Sequence, residues 1–169
     1  MITKNSLITR DIDLLQELAK DNLVHVMITI TSTNEKTRQQ LEPRTTTYKQ
    51  RFKAIEELSK AGIPVGVMVA PIVPSITSND IPNVIKTAAN NGAKHAGYTI
   101  VRLNGAIANV FKDWLEKNYP DRAQKVWSQI AACHGGQVND SRYSTRMSGE
   151  GNIAESIRSL FKISVKKFM

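Results

Sequence analysis

At 169 residues, 41% hydrophobic and 22% charged, the chain has the length and composition of one soluble globular domain with a sizeable core. No apolar run approaches the roughly 18 residues of a membrane span and no secretory leader pattern opens the chain, so a cytoplasmic protein without a membrane partner is expected. The single cysteine, Cys133, excludes an internal disulfide framework, a multi-cysteine zinc site and a self-contained iron–sulfur cluster, while the net charge of +8 by itself names no partner.

Met1 to Asn5 reads as the tail of a strand. Leu7 to Asp21 reads as a helix, with Asp11 and Asp13 suited to its first turn and Ile12, Leu14, Leu15, Leu18 and Ala19 supplying a core-facing stripe. Leu23 to Thr31 alternates as a strand does: Val24, Val26, Ile28 and Ile30 fall on one face, and His25, Met27, Thr29 and Thr31 on the other. The hydroxyls of Thr29 and Thr31, followed by Ser32-Thr33-Asn34, make a polar rim at the strand's C-terminal end. A plain loop capping the next helix reads equally well there. A short helix, Glu35 to Leu41, stops before Pro43. The threonines of Glu42-Pro43-Arg44-Thr45-Thr46-Thr47 can cap a helix from Tyr48 to Ala61, with Tyr48, Phe52, Ile55 and Leu58 as its buried stripe.

Gly62 and Pro64 end that helix. Val65, Val67, Met68, Val69 and Ile72 then read as a strand buried on both faces, as in a parallel sheet between helices. Pro71 and Pro74 are predicted to end its pairing, because proline cannot donate to a ladder. Ile81, Val84, Ile85, Ala88 and Ala89 mark a helix that tolerates Pro82 in its first turn and stops at Gly92. Ala96 to Leu103 is the next strand. The alternation then ceases. Helices follow over Ala106–Asn118, with Ile107, Val110, Phe111, Trp114 and Leu115 on one side, over Pro120–His134, and over Asn152–Ser164. From Ser141 to Met169 six Lys/Arg oppose two Glu, so half of the net charge sits in this tail. A solvated surface and a polyanion-binding face both account for it.

Strands separated by helices predict right-handed βαβ units and a parallel sheet. Three strands and a tail are too few to close a domain, which leaves open edges. The expected fold is therefore α/β, the C-terminal half of a larger barrel over residues 1–105, followed by a helical extension over residues 106–169. Its expected partners are the missing N-terminal half, or a second copy meeting an exposed barrel edge.

Self-contained catalytic machinery is absent. There is no Gly-rich phosphate loop, no His-Glu-x-x-His and no nucleophile elbow, and His25, His95 and His134 are scattered. The polar groups that remain lie at strand C-termini: Lys4, Thr29, Thr31, Ser32 and the backbone of Ala70 to Val73. Lysine can meet a carboxylate, hydroxyls can bond a ribose, and an Ala-Pro-Ile-Val wall can face a flat base. A nucleoside carrying a carboxylate is one of several ligands that fit.

Thr3-Lys4-Asn5 followed by Arg10-Asp11, the polar strand end at Thr29 to Ser32, LEPRTTTYKQRFKAI, AGIPVGVMVAPIVP, HAGYTIVRLNGA and RYSTRMSGEG together resemble a radical S-adenosylmethionine protein. More narrowly they are similar to the bacterial subgroup related to spore photoproduct lyase. The resemblance runs almost the full chain and implies the C-terminal part of a partial (β/α)6 TIM-like barrel. In that family a 4Fe–4S cluster reduces S-adenosylmethionine at the barrel mouth, giving a 5′-deoxyadenosyl radical that abstracts hydrogen. Carried over, Lys4 would bind the cofactor's carboxylate, Thr29 and Thr31 its ribose or carboxylate, and Ala70, Pro71 and Ile72 with Val101 and Leu103 would flank the adenine. The family's Cys-x3-Cys-x2-Cys loop is not in this chain, and Cys133 cannot replace three ligands. The chain alone is therefore expected neither to assemble the cluster nor to cleave the cofactor, and no catalytic or metal-binding residue is assigned. The competing readings are a non-catalytic nucleic-acid-binding module that uses Arg142, Arg146, Lys166 and Lys167, and an inactive remnant.

Overall fold

Four parallel strands form one sheet in the order β1-β2-β3-β4, as seen in a computed structural model that describes residues 1–169. The strands are β1 (Ile2–Thr3), β2 (Val26–Thr29), β3 (Val65–Ile72) and β4 (His95–Ile100). Between them run α1 (Ile12–Lys20), α2 (Glu35–Leu41), α3 (Tyr48–Lys60) and α4 (Ile81–Asn90). After β4 come α5 (Ile107–Asn118), α6 (Ala123–Ala132) and α7 (Gly151–Phe168). The α/β class and the parallel sheet are those the sequence predicts, and the Met1–Asn5 tail supplies the fourth strand. No helix is long and apolar enough to cross a membrane.

The two sheet faces differ as the alternation requires. Val26, Ile28, Ile30, Val65, Val67 and Val69 point to the helices and are almost wholly enclosed. Burying each such side chain is worth ~1.5–3 kcal/mol. The other face, opposite the helices, carries Lys4, His25, Met27, Thr29, Thr31, Met68, His95 and Gly97, as parity along the paired strands dictates. A second, smaller cluster joins Val73, Val101 and Leu103 to Leu115, Val126 and Ile130, which seats α5 and α6 on the strands' C-terminal end. α7 contributes Ala154, Ile157 and Phe161 to the main core instead.

Local differences from the sequence reading have physical causes. Pro71 does not end β3: a register shift between Val69 and Ile72 accommodates it, and pairing resumes at Ile72–Ile100. The first helix begins as a 3-10 segment, Ser6–Asp11, with Asn5 capping it through Leu7 N at 3.0 Å. In α1 only Leu15 is buried, while Leu14 and Leu18 face outward. In α5 the predicted stripe splits, with Leu115 enclosed and Ile107 and Val110 exposed.

Candidate functional site

The C-terminal end of the sheet is organised around a carboxylate, that of Glu42, which is buried in the loop between α2 and α3. Its Oε1 accepts from Lys4 Nζ at 2.6 Å and from Thr31 Oγ1 at 3.1 Å, and its Oε2 accepts from Arg51 Nη2 at 2.8 Å. Lys4 follows β1, whereas Thr31 follows β2 and Arg51 lies on α3, before β3, so two consecutive βα units meet on one side chain. Burial would raise the Glu42 pKa, but the hydrogen bonds from Lys4 and Arg51 outweigh it and hold the carboxyl below its ordinary value.

The loop itself is built to hold this arrangement. Arg38 Nη1 donates to the carbonyls of Glu42 at 3.2 Å and Thr45 at 2.8 Å, fixing the turn. Arg51 also donates to Thr45 Oγ1, to Thr46 O at 3.1 Å and to Thr29 O at 2.9 Å, which satisfies its guanidinium although its side chain is 0% exposed. Thr46 Oγ1 donates to Lys4 O at 3.0 Å. Thr47 and Gln50 then form a reciprocal capping box that starts α3. Each threonine of the run thus has a separate task.

Lys4, Thr31 and Ala70 are brought together: Thr31 Oγ1 donates to Ala70 O at 2.9 Å, and the Lys4 side chain remains 39% exposed. Thr29 is buried one position from Ile30, on the same face as Lys4. Ala70 and Pro71 are half-buried. Ile72, Val101 and Leu103 do not join them. Ile72 lies in the main core, and Val101 and Leu103 are packed beneath α5 and α6. The side chains of Val101 and Leu103 are roofed there by Leu115, Val126 and Ile130.

Glu42 and Arg51 were missed as site residues. The signal was available at Arg51, a cation beside the apolar stripe of Tyr48, Phe52 and Ile55, since a charge on a core-facing surface requires a partner. With two cations on one carboxylate the cluster keeps net positive charge, which suits a carboxylate-bearing ligand at the exposed Lys4 ammonium. The residues fit that part of the cofactor. They do not fit an iron–sulfur cluster. Cys133 is enclosed in the core, where burial pushes its thiol up to about 11, and no three His, Cys, Asp or Glu side chains come together.

The basic tail is partly neutralised. Arg142 donates to Asp140 at 2.9 Å and to Glu150 at 2.6 Å, binding the loop between α6 and α7 to itself. Arg146 stacks on the Tyr143 ring at 5.3 Å, and Lys166 and Lys167 occupy the last turn of α7, where cations favour the helix dipole.

The chain is similar in sequence to several known proteins. An uncharacterized protein of Mycobacterium tuberculosis is 27% identical over 123 residues, covering 72% of this chain and 36% of that protein. An uncharacterized protein of Methanocaldococcus jannaschii is 26% identical over 134 residues, 78% of this chain and 48% of its own length. One from Acidianus two-tailed virus is 33% identical over 95 residues, 53% and 31% respectively. The chain thus spans between about a third and a half of the curated relatives it matches. The signature of the Radical SAM superfamily matches residues 1–88, the stretch that supplies Lys4, Thr31, Glu42, Arg51 and Ala70, and the chain belongs to that superfamily.

Proposed function

We propose that this chain is the C-terminal side of a radical S-adenosylmethionine barrel of the subgroup related to spore photoproduct lyase, and that its strand ends hold the cofactor while residues outside the chain hold the cluster. The observation that supports this reading is the convergence on Glu42, since Lys4, Thr31 and the LEPRTTTYKQRFKAI stretch that carries Glu42, Thr45 and Arg51 are three separate stretches of the resemblance and meet at the C-terminal end of the sheet. Lys4 supplies a positioned ammonium for the cofactor's carboxylate, and Thr29 and Thr31 supply the neighbouring hydroxyls. Ala70 and Pro71 offer the apolar surface beside them. Glu42 fixes the ammonium so that no rotamer search is needed when the carboxylate arrives. When bound with its cluster, the cofactor supplies hydrogen abstraction; this chain's part is to bind and orient it.

The unpaired edge of β1 and the outward leucines of α1 suit a preceding barrel segment, whether in the same polypeptide or in a separate one. Saturation-transfer NMR of the whole chain with S-adenosylmethionine tests the reading. Adenine and methionyl protons should receive saturation from the native chain, and Lys4→Ala should remove most of it with the fold intact by circular dichroism. Equal transfer in both proteins would sink the assignment.

A further inference from the structure

The loop between α6 and α7 straps the end of β4, the last strand of the sheet. Ile100 N donates to Met147 O at 2.9 Å and Leu103 N to Val138 O at 2.8 Å, while Arg102 Nη1 donates to Asp140 O at 3.0 Å. Backbone groups that a further strand would otherwise pair are thus satisfied by this loop. His134, where the loop begins, fastens it to the same stretch, with its Nε2 2.9 Å from Val101 O.

A carbonyl only accepts, so Nε2 carries a proton and Nδ1 is left as the nitrogen that gains or loses one. Nδ1 is buried without a hydrogen-bond partner, on a side chain that is 0% exposed, and it faces Asp140 Oδ2 at 3.8 Å. That distance is too long for a hydrogen bond and within reach of an ion pair. The Asp140 carboxyl is held well below its ordinary range, by the Arg142 side chain above all, so it stays an anion. Arg142 and Glu150 beyond it and Arg102 at the end of β4 are the other charged groups around the pair, and among the carboxylates only Asp140 comes within ion-pair distance of the ring. A bare Nδ1 sets a lone pair against that carboxylate, whereas a protonated one sets a cation there. A polar hollow of about 270 Å³, lined also by Gln137, Asn139 and Ser141, lets solvent protons reach both side chains.

We infer that His134 and Asp140 form a proton-operated clasp: with Nδ1 protonated, imidazolium and carboxylate hold the loop over the end of β4, and passing that proton to solvent loosens it. The strap is therefore tighter toward the acid side of the range in which histidine titrates, about pH 5 to 8. The device acts on the backbone of residues 100–103 and does not depend on the cofactor reading.

Amide hydrogen exchange of the whole chain, read as protection factors, tests it. Protection at Ile100 and Leu103 should fall several-fold across about pH 6 to 8, and by no more than about tenfold per unit, the limit for one proton. The Ile30 amide, which donates to Met68 O inside the sheet, should stay level. His134→Gln, whose amide still offers an N–H to Val101 O, should abolish the pH response. Imidazole nitrogen NMR of the native protein covers the case of a variant that fails to fold. His134 should carry protons on both nitrogens at the acid end and on Nε2 alone at the alkaline end, with the Ile100 and Leu103 amide shifts following the same midpoint. A ring that keeps one charge state throughout, as one satisfied by a bound water would, overturns the inference. So does an unchanged pH response in His134→Gln, or protection that falls equally at Ile30.

Discussion

Glu42 and Arg51 form a buried ion pair, Oε2 to Nη2 at 2.8 Å, in which the arginine side chain is wholly enclosed. A guanidinium in that position is tolerable only while its counter-charge remains. Removing one partner of a buried pair strands the other, which costs about 3–5 kcal/mol. Glu42→Gln should therefore lower stability by about 3 kcal/mol in urea unfolding. Lys4→Ala, which removes the half-exposed partner, should cost only about 1 kcal/mol. Similar losses from both would mean that Lys4, and not Arg51, is what the carboxylate is there to hold.

The same pair sets an acid limit. Glu42 has its folded pKa held below the ordinary carboxylate range, and Arg142, through side-chain hydrogen bonds above all, does the same to Asp140. A depressed carboxylate contributes stability that is fully present above its unfolded pKa and is lost as pH falls through its folded one. The urea midpoint should be level near neutrality and decline from about pH 5 downward, the ordinary glutamate value being ~4.3. Glu42→Gln should flatten part of that decline. An unchanged slope would place the acid sensitivity elsewhere.

The parallel sheet, the helix order and Lys4, Thr31 and Ala70 at the strand ends were legible because they rest on period and parity, which are local properties. Glu42 was read as part of a turn and of the resemblance but given no site role, since nothing local says that residues 4, 31 and 51 will converge on it. The packing of Val101 and Leu103 was not legible for the converse reason: their roof, Leu115, Val126 and Ile130, comes from helices later in the chain. His25 and His95, scattered in sequence, became neighbours because parallel pairing through β3 brings them to one face at one end of the sheet. Leu14 and Leu18 were assigned to a core stripe from periodicity, which cannot tell a face covered within this chain from one left open.

Gly66 is a steric requirement in a strand that would otherwise favour a β-branched residue. A methyl group there would fall 2.6 Å from the His95 backbone oxygen, which cannot swing aside as a side chain does. Gly66→Ala should therefore destabilise the chain by about 1–3 kcal/mol, the range for overpacking, and should separate the His25 and His95 rings, visible as changed imidazole shifts. Gly62→Ala touches nothing within 4 Å, although its φ of +77 disfavours a side chain. Its cost should be near 1 kcal/mol and should leave those shifts unmoved.

Arg142 is committed to Asp140 and Glu150, so its charge serves the loop between α6 and α7 before it serves any polyanion. Arg142→Gln should speed tryptic cleavage at Arg146 several-fold by releasing that loop. Binding of duplex DNA at low salt, if measured, should respond to Lys166→Gln and Lys167→Gln and hardly to Arg142→Gln, because a neutralised cation releases few counterions. A salt slope that drops as much with Arg142→Gln as with the lysine changes would contradict the assignment.

Leu14 and Leu18 lie one turn apart on α1 and are 63% and 43% exposed, and Ile2 on the neighbouring edge strand is 63% exposed. The outer edge of β1, first in the sheet order, has no strand beside it. An open edge next to exposed leucines invites pairing with another chain. The isolated chain should therefore show concentration-dependent association in sedimentation velocity. Leu14→Gln together with Leu18→Gln should shift it toward monomer without loss of stability, because neither side chain contributes to the core and surface substitutions usually change stability by within about 0.5 kcal/mol. A barrel segment supplied in trans should compete with self-association on the same face, and the double change should weaken that capture in parallel. A native chain that stays monomeric at all concentrations, with unfolding as cooperative as that of a closed domain, would show that this edge needs no cover.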